Sequence, residues 1–209
     1  MLVGVEQWVC APTLRVMMGG FEEMYAGTPP WDIGRPQGQF VRLEQAGEIK
    51  GSVLDIGCGT GENALFMAGR GHEVWGIDFA PTAIEKAKAK AKQRRLKATF
   101  RVSDAMQLQK LGRTFDTVID SGLFHTFDDE DRSQFPKSLA SVLPRGGRYL
   151  MMCFSEREPG DWGPRRVMQA EIRETFTKGW EIESITAAKF EAIVEGGGAE
   201  AWLSRIARR

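Results

Sequence analysis

The stretch SVLDIGCGTGENALFMA, residues 52–68, is the most informative part of this 209-residue chain. Its apolar start, Ser52 to Ile56, predicts a buried strand, and a helical pattern follows directly after the loop. Within the loop, glycine stands at alternate positions, at Gly57, Gly59 and Gly61. Glycine allows a sharp turn and a close approach of backbone amides to a ligand. The stretch therefore predicts a strand, a ligand-binding loop and a helix in direct succession.

Around this stretch, short β-branched runs alternate with amphipathic runs. Strands are predicted at Ser52–Ile56, Glu73–Ile77, Ala98–Val102, Phe115–Asp120 and Arg148–Phe154. Helices are predicted between them at Glu62–Ala68, Pro81–Arg95 and Asp129–Leu143. This order is typical of parallel strands joined by crossover helices. We therefore expect an α/β fold, with helices on both faces of a mostly parallel sheet.

The order of elements changes after Phe154. A polar loop at 155–166 precedes a predicted short helix at Gln169–Phe176. Two β-like runs, Trp180–Val194 and Ala201–Ala207, flank three consecutive glycines and predict an antiparallel hairpin. Because there is no internal repeat and no Pro/Ser-rich linker, residues 1–209 are expected to form one domain. Its parts are an N-terminal region at 1–50, a core at 51–154, and a loop with the hairpin at 155–209.

The charge balance argues against a polyanionic partner. The chain has 28 Lys and Arg residues and 28 Asp and Glu residues, so no net field would hold it on nucleic acid or on an anionic membrane. Residues 86–97 carry seven cations and no acid, which leaves nucleic-acid binding as an alternative. We interpret this run as the solvated face of a helix whose alanines pack inward. A small-molecule partner is expected, with neither nucleic acid nor a membrane.

Several further features exclude other classes of protein. No run reaches the roughly 18 apolar residues that a membrane-spanning helix needs, and the first residues carry no basic leader, so a cytoplasmic location is expected. The three cysteines, Cys10, Cys58 and Cys153, show no close pairing, which argues against a disulfide framework. The only histidines, His72 and His125, stand near no cysteine pair, so no metal site is predicted.

Two details of the glycine loop indicate the charge of its ligand. Position 62 is Glu, so the spacing is GxGxG rather than the GxGxxG of dinucleotide-binding loops. Asp55, just before the loop, would repel a pyrophosphate but attract an ammonium group. Cys58, inside the loop, is expected to border the same ligand. The loop therefore predicts a cationic, phosphate-free ligand.

Acidic residues also end the following strands. Asp78 ends the second strand, where a carboxylate can accept hydrogen bonds from ribose hydroxyls. Asp104, together with the Ala105 amide, stands where an adenine ring would bind, and Asp120 and Ser121 end the fourth strand at the same edge. Each aspartate alone would also fit a helix cap or a turn. Together with the glycine loop, they predict a nucleoside site.

Residues 52–154 resemble the core of the class I S-adenosylmethionine-dependent methyltransferases. The motifs VLDIGCGTG, VWGIDFAP, FRVSDAM, FDTVIDSGLFH and LPRGGRYL follow one another in the order of that family. The resemblance implies a Rossmann-like sheet of seven strands, the last of them antiparallel, and S-adenosylmethionine as the cofactor. It assigns the methionine end of the cofactor to Asp55, Gly57, Gly59 and Gly61, the ribose to Asp78, and the adenine to Asp104 and Ala105.

The segment PPWDIGRPQ, residues 29–37, resembles the branch that includes thiopurine, halide and thiol methyltransferases and bacterial heterocyclic toxin methyltransferases. In that branch the tryptophan segment covers the cofactor, which implies a lid containing Trp31. Its prolines and glycine also predict a loop rather than a helix. The branch implies a small heterocyclic or thiol-containing methyl acceptor. A nucleic-acid methyltransferase and a non-catalytic cofactor-binding module stay open as alternatives, and the protein is expected to be a monomer or homodimer.

His125, just past the fourth strand, is the candidate general base. The alternative is that it packs at the start of a helix while proximity alone promotes transfer. Two arginines at 165–166 would either hold an anionic substrate or lie in solvent. Four residues are candidate aromatic walls over the cofactor or an apolar acceptor: Trp31, Phe79, Phe124 and Trp162.

Overall fold

A computed structural model describes residues 20–209, and residues 1–19, including Cys10 and the start of the predicted N-terminal region, lie outside it. The helices are α1 (Gly38–Gln45), α2 (Glu62–Gly69), α3 (Pro81–Arg94), α4 (Asp129–Ala140) and α5 (Gln169–Thr175). The strands are β1 (Val53–Ile56), β2 (Val74–Asp78), β3 (Thr99–Val102), β4 (Thr117–Ser121), β5 (Arg148–Phe154), β6 (Trp180–Glu191) and β7 (Gly198–Arg208). Residues 20–24 are also helical.

The strands form one sheet in the order β3-β2-β1-β4-β5-β7-β6. Neighbours from β3 to β5 pair in parallel, whereas β7 pairs antiparallel with both β5 and β6. This confirms the predicted α/β class, the seven-stranded, mostly parallel sheet and the C-terminal hairpin. The first hairpin strand ends earlier than predicted, at Glu191, because a short 3₁₀ turn occupies residues 195–197.

The sheet order creates a crevice at one point. The chain passes from β1 to β2 on one side and later returns to β4 on the other side, so the connections leave the carboxyl ends of β1 and β4 in opposite directions. Open α/β sheets bind their ligands at such a point. The glycine loop follows β1 and His125 follows β4, so both lie at this crevice.

Strand β5 shows how firmly this edge is supported. Its side chains alternate between two hydrophobic cores, with Tyr149 and Met151 in one and Leu150 and Met152 in the other. The first core also contains Phe135 from α4, and truncating a fully buried phenylalanine costs about 3–5 kcal/mol. The centre of the sheet is therefore a rigid support for the loops at its carboxyl edge.

The lysine-rich run forms α3. Its buried side includes the alanines, as predicted: Ala83, Ala87 and Ala91. At least one of its lysines is not simply solvated. Lys86 Nζ donates hydrogen bonds to the backbone carbonyls of Tyr25 at 2.6 Å and Gly27 at 2.8 Å. The run therefore also anchors the N-terminal segment that leads into the predicted lid.

Candidate active site

The glycine loop between β1 and α2 has a left-handed backbone at each glycine. The φ angles of Gly57, Gly59 and Gly61 are 64°, 52° and 87°. A Cβ on Gly59 would also lie 2.8 Å from the Oη atom of Tyr25. Any other residue at position 59 would combine backbone strain with a steric contact. The conformation of the loop therefore depends on the absence of a side chain there.

Asp78 connects the end of β2 to this loop. One carboxylate oxygen accepts a hydrogen bond from the Gly59 amide at 2.9 Å, and the other accepts from the Ala80 amide at 2.9 Å. Burial raises the pKa of Asp78, and these backbone hydrogen bonds oppose the rise. The carboxylate also borders the cavity described below. It is held in place before any ligand arrives and keeps lone pairs for ribose hydroxyls.

Asp55 lies beneath the loop rather than in the cavity wall. Its Oδ2 atom accepts a hydrogen bond from the Ala64 amide at 3.1 Å, while the buried Oδ1 atom has no partner among the described residues. Burial, with the nearby Asp120 and Asp78, raises the pKa of Asp55 well above its usual value. An unpartnered buried carboxylate oxygen beside a glycine loop suits an ammonium group or a water that bridges to one.

The end of β3 supplies the opposite side of the nucleoside region. Asp104 and Ala105 both border the cavity, and so does Phe79, which follows β2. Asp104 also caps a short 3₁₀ helix, since its Oδ1 atom accepts from the Met106 amide at 2.8 Å. The cap fixes the orientation of Asp104 at the cavity edge, next to Ala105.

Asp120 and Ser121 have opposite positions, because successive strand residues point to opposite faces. Ser121 borders the cavity, whereas Asp120 is fully buried. Asp120 accepts hydrogen bonds from the amides of Leu123 at 2.7 Å and Phe124 at 3.2 Å, and from the hydroxyl of Tyr149 at 2.6 Å. Burial raises its pKa to about 7. Asp120 thus holds the turn that carries His125.

A cavity of about 230 Å³ opens at this edge of the sheet. Eight of the predicted site residues line it: Trp31, Gly57, Asp78, Phe79, Asp104, Ala105, Ser121 and His125. A smaller cavity of about 50 Å³ adjoins it and is lined by Cys58 and Gly59, together with Trp31 and Ser121. Three predicted residues line neither cavity: Asp55, Gly61 and Asp120. They lie one layer deeper, where they support the loops.

Trp31 lies in a turn, as its prolines and glycine predict. Its indole Nε1 donates a hydrogen bond to Tyr25 Oη at 3.0 Å, and its ring packs edge-on against Phe21 with the centroids 5.5 Å apart. Burial, with the charge of Asp78, raises the pKa of Tyr25, which keeps its phenol neutral. The three rings together form one wall of the cavity.

Hydrogen bonds fasten the lid, residues 29–37, to the end of β6. The guanidinium of Arg35 makes two contacts of 3.1 Å with the Glu191 carboxylate. The Gln37 side chain donates to the Glu191 carbonyl at 2.8 Å and accepts from its amide at 2.9 Å. The Ile193 amide donates to the carbonyl of Pro30 at 2.7 Å. The lid and the hairpin tip are therefore positioned together.

His125 is buried in the wall of the cavity, beyond the glycine loop. Its Nδ1 atom accepts a hydrogen bond from the Phe154 amide at 3.1 Å. The Phe154 and Phe190 rings pack against the imidazole, with centroids 5.0 and 5.9 Å away. Burial, assisted by the charge of Arg166, lowers the pKa of His125 to about 3. The imidazole is neutral at physiological pH and is a poor proton acceptor there.

The loop between β5 and α5 contributes Trp162 to the cavity. Arg166 donates hydrogen bonds to the carbonyls of Trp162 and Pro164 and places its guanidinium 5.6 Å from the centre of the Trp162 ring. Arg165 binds Glu171 of α5. The two arginines therefore stabilise this loop instead of lining the cavity, so an anionic substrate is not drawn into it by them.

The aromatic walls lack one predicted ring and include five rings that the sequence analysis did not name. Phe124 is fully buried and packs against Phe127 in the core, so it does not line the cavity. Rings that the sequence did not single out do so: Phe127, Phe154 and Phe190, with Phe21 and Tyr25 from the N-terminal segment. For Phe154 the last position of a strand was an available signal. Phe21 and Tyr25 stand four residues apart, a spacing that places both on one helix face.

Comparison with known proteins identifies the class. A family model described as a methyltransferase domain matches residues 53–147. The chain is 38% identical over 188 residues to 2-heptyl-1-hydroxyquinolin-4(1H)-one methyltransferase of Mycobacteroides abscessus, covering 87% of this chain and 83% of the relative. It is 28% identical over 171 residues to probable thiol methyltransferase 2 of Arabidopsis thaliana, covering 80% of this chain and 76% of the relative.

A solved structure is similarly related. It comes from work on the conversion of a disulfide bond into a thioacetal group during echinomycin biosynthesis. It superposes with a TM-score of 0.85 at 37% identity, over 92% of this chain and 93% of that chain. The chain belongs to the S-adenosylmethionine-dependent methyltransferases. It is an enzyme that acts on a small molecule, which sets aside a non-catalytic binding module.

Proposed function

We propose that the protein methylates an oxygen or sulfur atom of a small, planar, largely apolar heteroaromatic molecule. The observation that carries the proposal is the aromatic lining of the cavity beyond the glycine loop, by Phe127, Phe154, Trp162 and Phe190. Flat rings stack favourably on such walls, and the few polar atoms among them select the orientation. An extended hydrophilic acceptor would lose its hydration there without replacement.

The same edge of the sheet suits the cofactor. We propose that the glycine loop and the unpartnered Asp55 oxygen accommodate the methionine end, directly or through water, that Asp78 holds the ribose, and that Phe79, Asp104 and Ala105 border the adenine. Cys58 and Gly59 border the smaller cavity beside the loop, where the methionine end would extend. S-adenosylmethionine supplies a methyl group that is already attached to a good leaving group. The protein then has to align the acceptor and exclude water.

The segments that cover the cavity would align the acceptor and exclude water. The lid brings Trp31 over the glycine loop, and its hydrogen bonds to Glu191 also fix the hairpin tip, whose residues Ala192 and Val194 line the cavity. With Trp162 on the opposite side, these segments enclose an acceptor between aromatic and aliphatic groups. Correct alignment within such an enclosure is worth several kcal/mol of activation free energy.

The relatives favour this acceptor class. One of them is a methyltransferase of a hydroxyquinolone that carries a heptyl chain, and another is a probable thiol methyltransferase. A hydroxylated bicyclic ring would fit the aromatic walls, and an alkyl chain would extend along Ala192 and Val194 of the hairpin tip. We therefore place ring hydroxyl groups first among the acceptors and aromatic thiols second.

Features of the whole chain bear on the partners, the cellular location and the domain organisation of the enzyme. Equal numbers of acidic and basic residues favour a small substrate over nucleic acid. Within residues 20–209, no helix has the length and apolarity that crossing a bilayer requires. Cys58 and Cys153 are free thiols, in keeping with a reducing, cytoplasmic setting. We propose that residues 1–209 act as one catalytic domain, in a monomer or homodimer.

A panel of matched acceptors tests the proposal. The purified protein is incubated with isotopically labelled S-adenosylmethionine and with hydroxyquinolones, with and without an alkyl chain, aromatic thiols, simple alkyl thiols and an RNA oligonucleotide. We expect label transfer to the ring compounds, with a lower KM when the alkyl chain is present. Lys88→Ala, on the outer face of α3, serves as a matched active control. Transfer confined to RNA, or equal rates for flat and non-planar acceptors, would overturn the proposal.

A further inference from the structure

The hydrogen bond that His125 accepts determines which proton it can offer. Because Nδ1 accepts from the Phe154 amide at 3.1 Å, the neutral ring carries its proton on Nε2. Within residues 20–209, Nε2 has no hydrogen-bond partner, and the ring borders the cavity. His125 is therefore positioned to present one N–H donor to whatever occupies the acceptor space.

The donor is held rigidly. The turn before it is fixed by Asp120, which accepts from the amides of Leu123 and Phe124. Gly122 lies so near the imidazole that a Cβ there would be 3.2 Å from the Cε1 atom of His125. A donor whose orientation is fixed before binding stabilises a negative charge at little reorganisation cost.

The described groups that face His125 do not favour its protonation. They are the rings of Phe154 on β5 and Phe190 on β6, the backbone of Gly122, and the cation of Arg166, with no carboxylate against the ring. A neighbouring cation and an apolar surround both disfavour an imidazolium. The imidazole therefore donates a hydrogen bond through the neutral pH range.

The other titratable groups that line the cavity are already committed. Both oxygens of Asp78 accept backbone hydrogen bonds, and both oxygens of Asp104 accept from the Met106 amide and the Gln107 side chain. The Tyr25 phenol is neutral and engaged with Trp31. Among the described residues, the cavity thus has a fixed donor but no uncommitted base that would remove a proton from the acceptor.

We propose that His125 binds the methyl acceptor in its ionised form through an Nε2–H hydrogen bond, so that the enzyme selects acceptors by their acidity. This inference rests on the proposed function. The acceptor loses its proton to solvent before transfer. A lone pair on its anionic oxygen or sulfur forms the new bond to the methyl carbon, while the bond from that carbon to the cofactor sulfur breaks and its electron pair stays on the sulfur. No proton moves to or from the protein.

The first test measures the acceptor without the cofactor. A hydroxyquinolone whose neutral and ionised forms absorb differently is titrated with pH, free and bound to the protein. A charge-assisted hydrogen bond implies that the pKa of the bound acceptor falls by about one to two units. Two variants separate donation from structure. His125→Asn keeps an acceptor for the Phe154 amide but lacks the Nε2 donor, whereas His125→Gln places an amide N–H near the position of Nε2.

We expect His125→Asn to lose most of the pKa shift and His125→Gln to recover part of it. Equal shifts in the wild type and His125→Asn, or a neutral bound acceptor in the wild type, would overturn the inference. Nitrogen NMR of the labelled wild-type protein is independent of any variant, and we expect the Nε2–H tautomer, with no imidazolium at pH 6. The Nδ1–H tautomer would also overturn it.

Turnover separates this inference from the proposed function. With ring-substituted acceptors of graded pKa, kcat/KM at pH 7 should fall as the acceptor pKa rises above 7, since only the ionised fraction binds productively. The fall should be less than tenfold per unit, because the more basic anion is also the better nucleophile. If the wild type methylates ring acceptors at rates independent of their acidity, the role of His125 fails while the proposed function stands. If the wild type neither binds nor methylates any ring acceptor, both fail.

Discussion

The two ends of the cavity are built in different ways. At the proposed cofactor end, the glycine loop follows β1 directly and is held by the carboxylate of Asp78 at the end of β2. At the proposed acceptor end, the walls come from separate segments around residues 125–127, 162–164 and 190–194. Backbone geometry determines the first end, and packing between distant side chains determines the second.

This difference separates the choice of cofactor from the choice of methyl acceptor. A loop whose shape depends on left-handed glycines accepts little change, so one cofactor is retained. Side chains on loops and on a hairpin tip are replaced at lower cost, so the acceptor is free to vary among related proteins. Substitutions at one end should therefore affect one ligand and spare the other.

The largest effect is expected for Gly59→Val. The side chain would meet Tyr25 Oη and would strain a backbone with φ of 52°, so affinity for S-adenosylmethionine should fall at least about 100-fold, or about 3 kcal/mol. Calorimetric titration measures this loss. Gly112→Val is the matched control, since Gly112 has φ of 69° but open space around it and lies outside both cavities. Similar losses of cofactor affinity in both variants would show that the loop has no special role.

The next effect, on stability, is expected for Asp120→Asn, which removes a carboxyl that supports the turn carrying His125. The folded pKa of Asp120 is about 7, above its unfolded value, so the native state binds more protons between about pH 4 and 7. The contribution of this carboxyl to the free energy of unfolding should fall as pH rises through that window. We expect the free energy of unfolding of the wild type to fall by about 3 kcal/mol relative to that of the variant between pH 4 and pH 7, as measured by urea unfolding.

Asp116→Asn provides the control of opposite sign. Hydrogen bonds from Ser52 lower the pKa of Asp116, so its stabilising contribution is present above the unfolded pKa and is lost as pH falls below about 4. If the two variants show the same pH dependence, Asp120 is not a buried carboxyl with a raised pKa, and the support that it gives to the His125 turn needs another explanation.

A moderate effect confined to the acceptor is expected for Trp162→Ala. Loss of this ring should raise KM for the acceptor about 10-fold, which corresponds to about 1.4 kcal/mol, and leave the affinity for the cofactor unchanged. Steady-state kinetics and calorimetry measure the two quantities. Trp75→Ala is the matched control, because Trp75, on β2, packs against the guanidinium of Arg101 and lies outside the cavity. If Trp162→Ala also lost affinity for the cofactor, the two ends of the cavity would not act independently, contrary to the proposal.

The smallest effect is expected for Glu191→Gln, which weakens the contacts between Arg35 and the hairpin. The pair is partly exposed, so the loss should be about 0.5–1 kcal/mol, seen as a two- to fivefold weaker binding of both ligands. Trp31 of the lid and Phe190, next to Glu191, border both cavities, so this variant should affect both ligands. Glu195→Gln, in the turn at 195–197, is the control and should bind normally. If the affinity for only one of the two ligands changed, the lid would affect only one end of the cavity.

Most of the fold was predictable because it depends on local patterns. Each strand from β1 to β5 was predicted to within a few residues. The central strands are parallel and buried on both faces, so they read as short apolar runs, whereas the edge strand β3 is half exposed. The bounds of the hairpin were less accurate, because the register between β6 and β7 depends on pairing across the turn rather than on either run alone.

The candidate site divides in the same way. Residues at strand ends, such as Asp78 and Asp104, were predictable at the cavity edge because the carboxyl ends of parallel strands share one edge. Phe190 was not, because β6 joins the sheet only through its antiparallel partner β7, and the sequence of β6 alone does not reveal that pairing. Phe124 was placed on the wrong side of its turn, because the side-chain directions in a 3₁₀ turn depend on the core against which it packs.

The sequence by itself determined that a strand, a glycine turn and a helix would bind a positively charged nucleoside, because left-handed glycines and strand-end carboxylates act locally. Only the tertiary structure decided the depth of each group. It turned Asp120 into the core while Ser121 faces the cavity, and it paired His125 Nδ1 with the Phe154 amide. These outcomes follow from contacts between segments far apart in the chain, and such contacts, rather than residue type, set the burial and the proton position of a side chain.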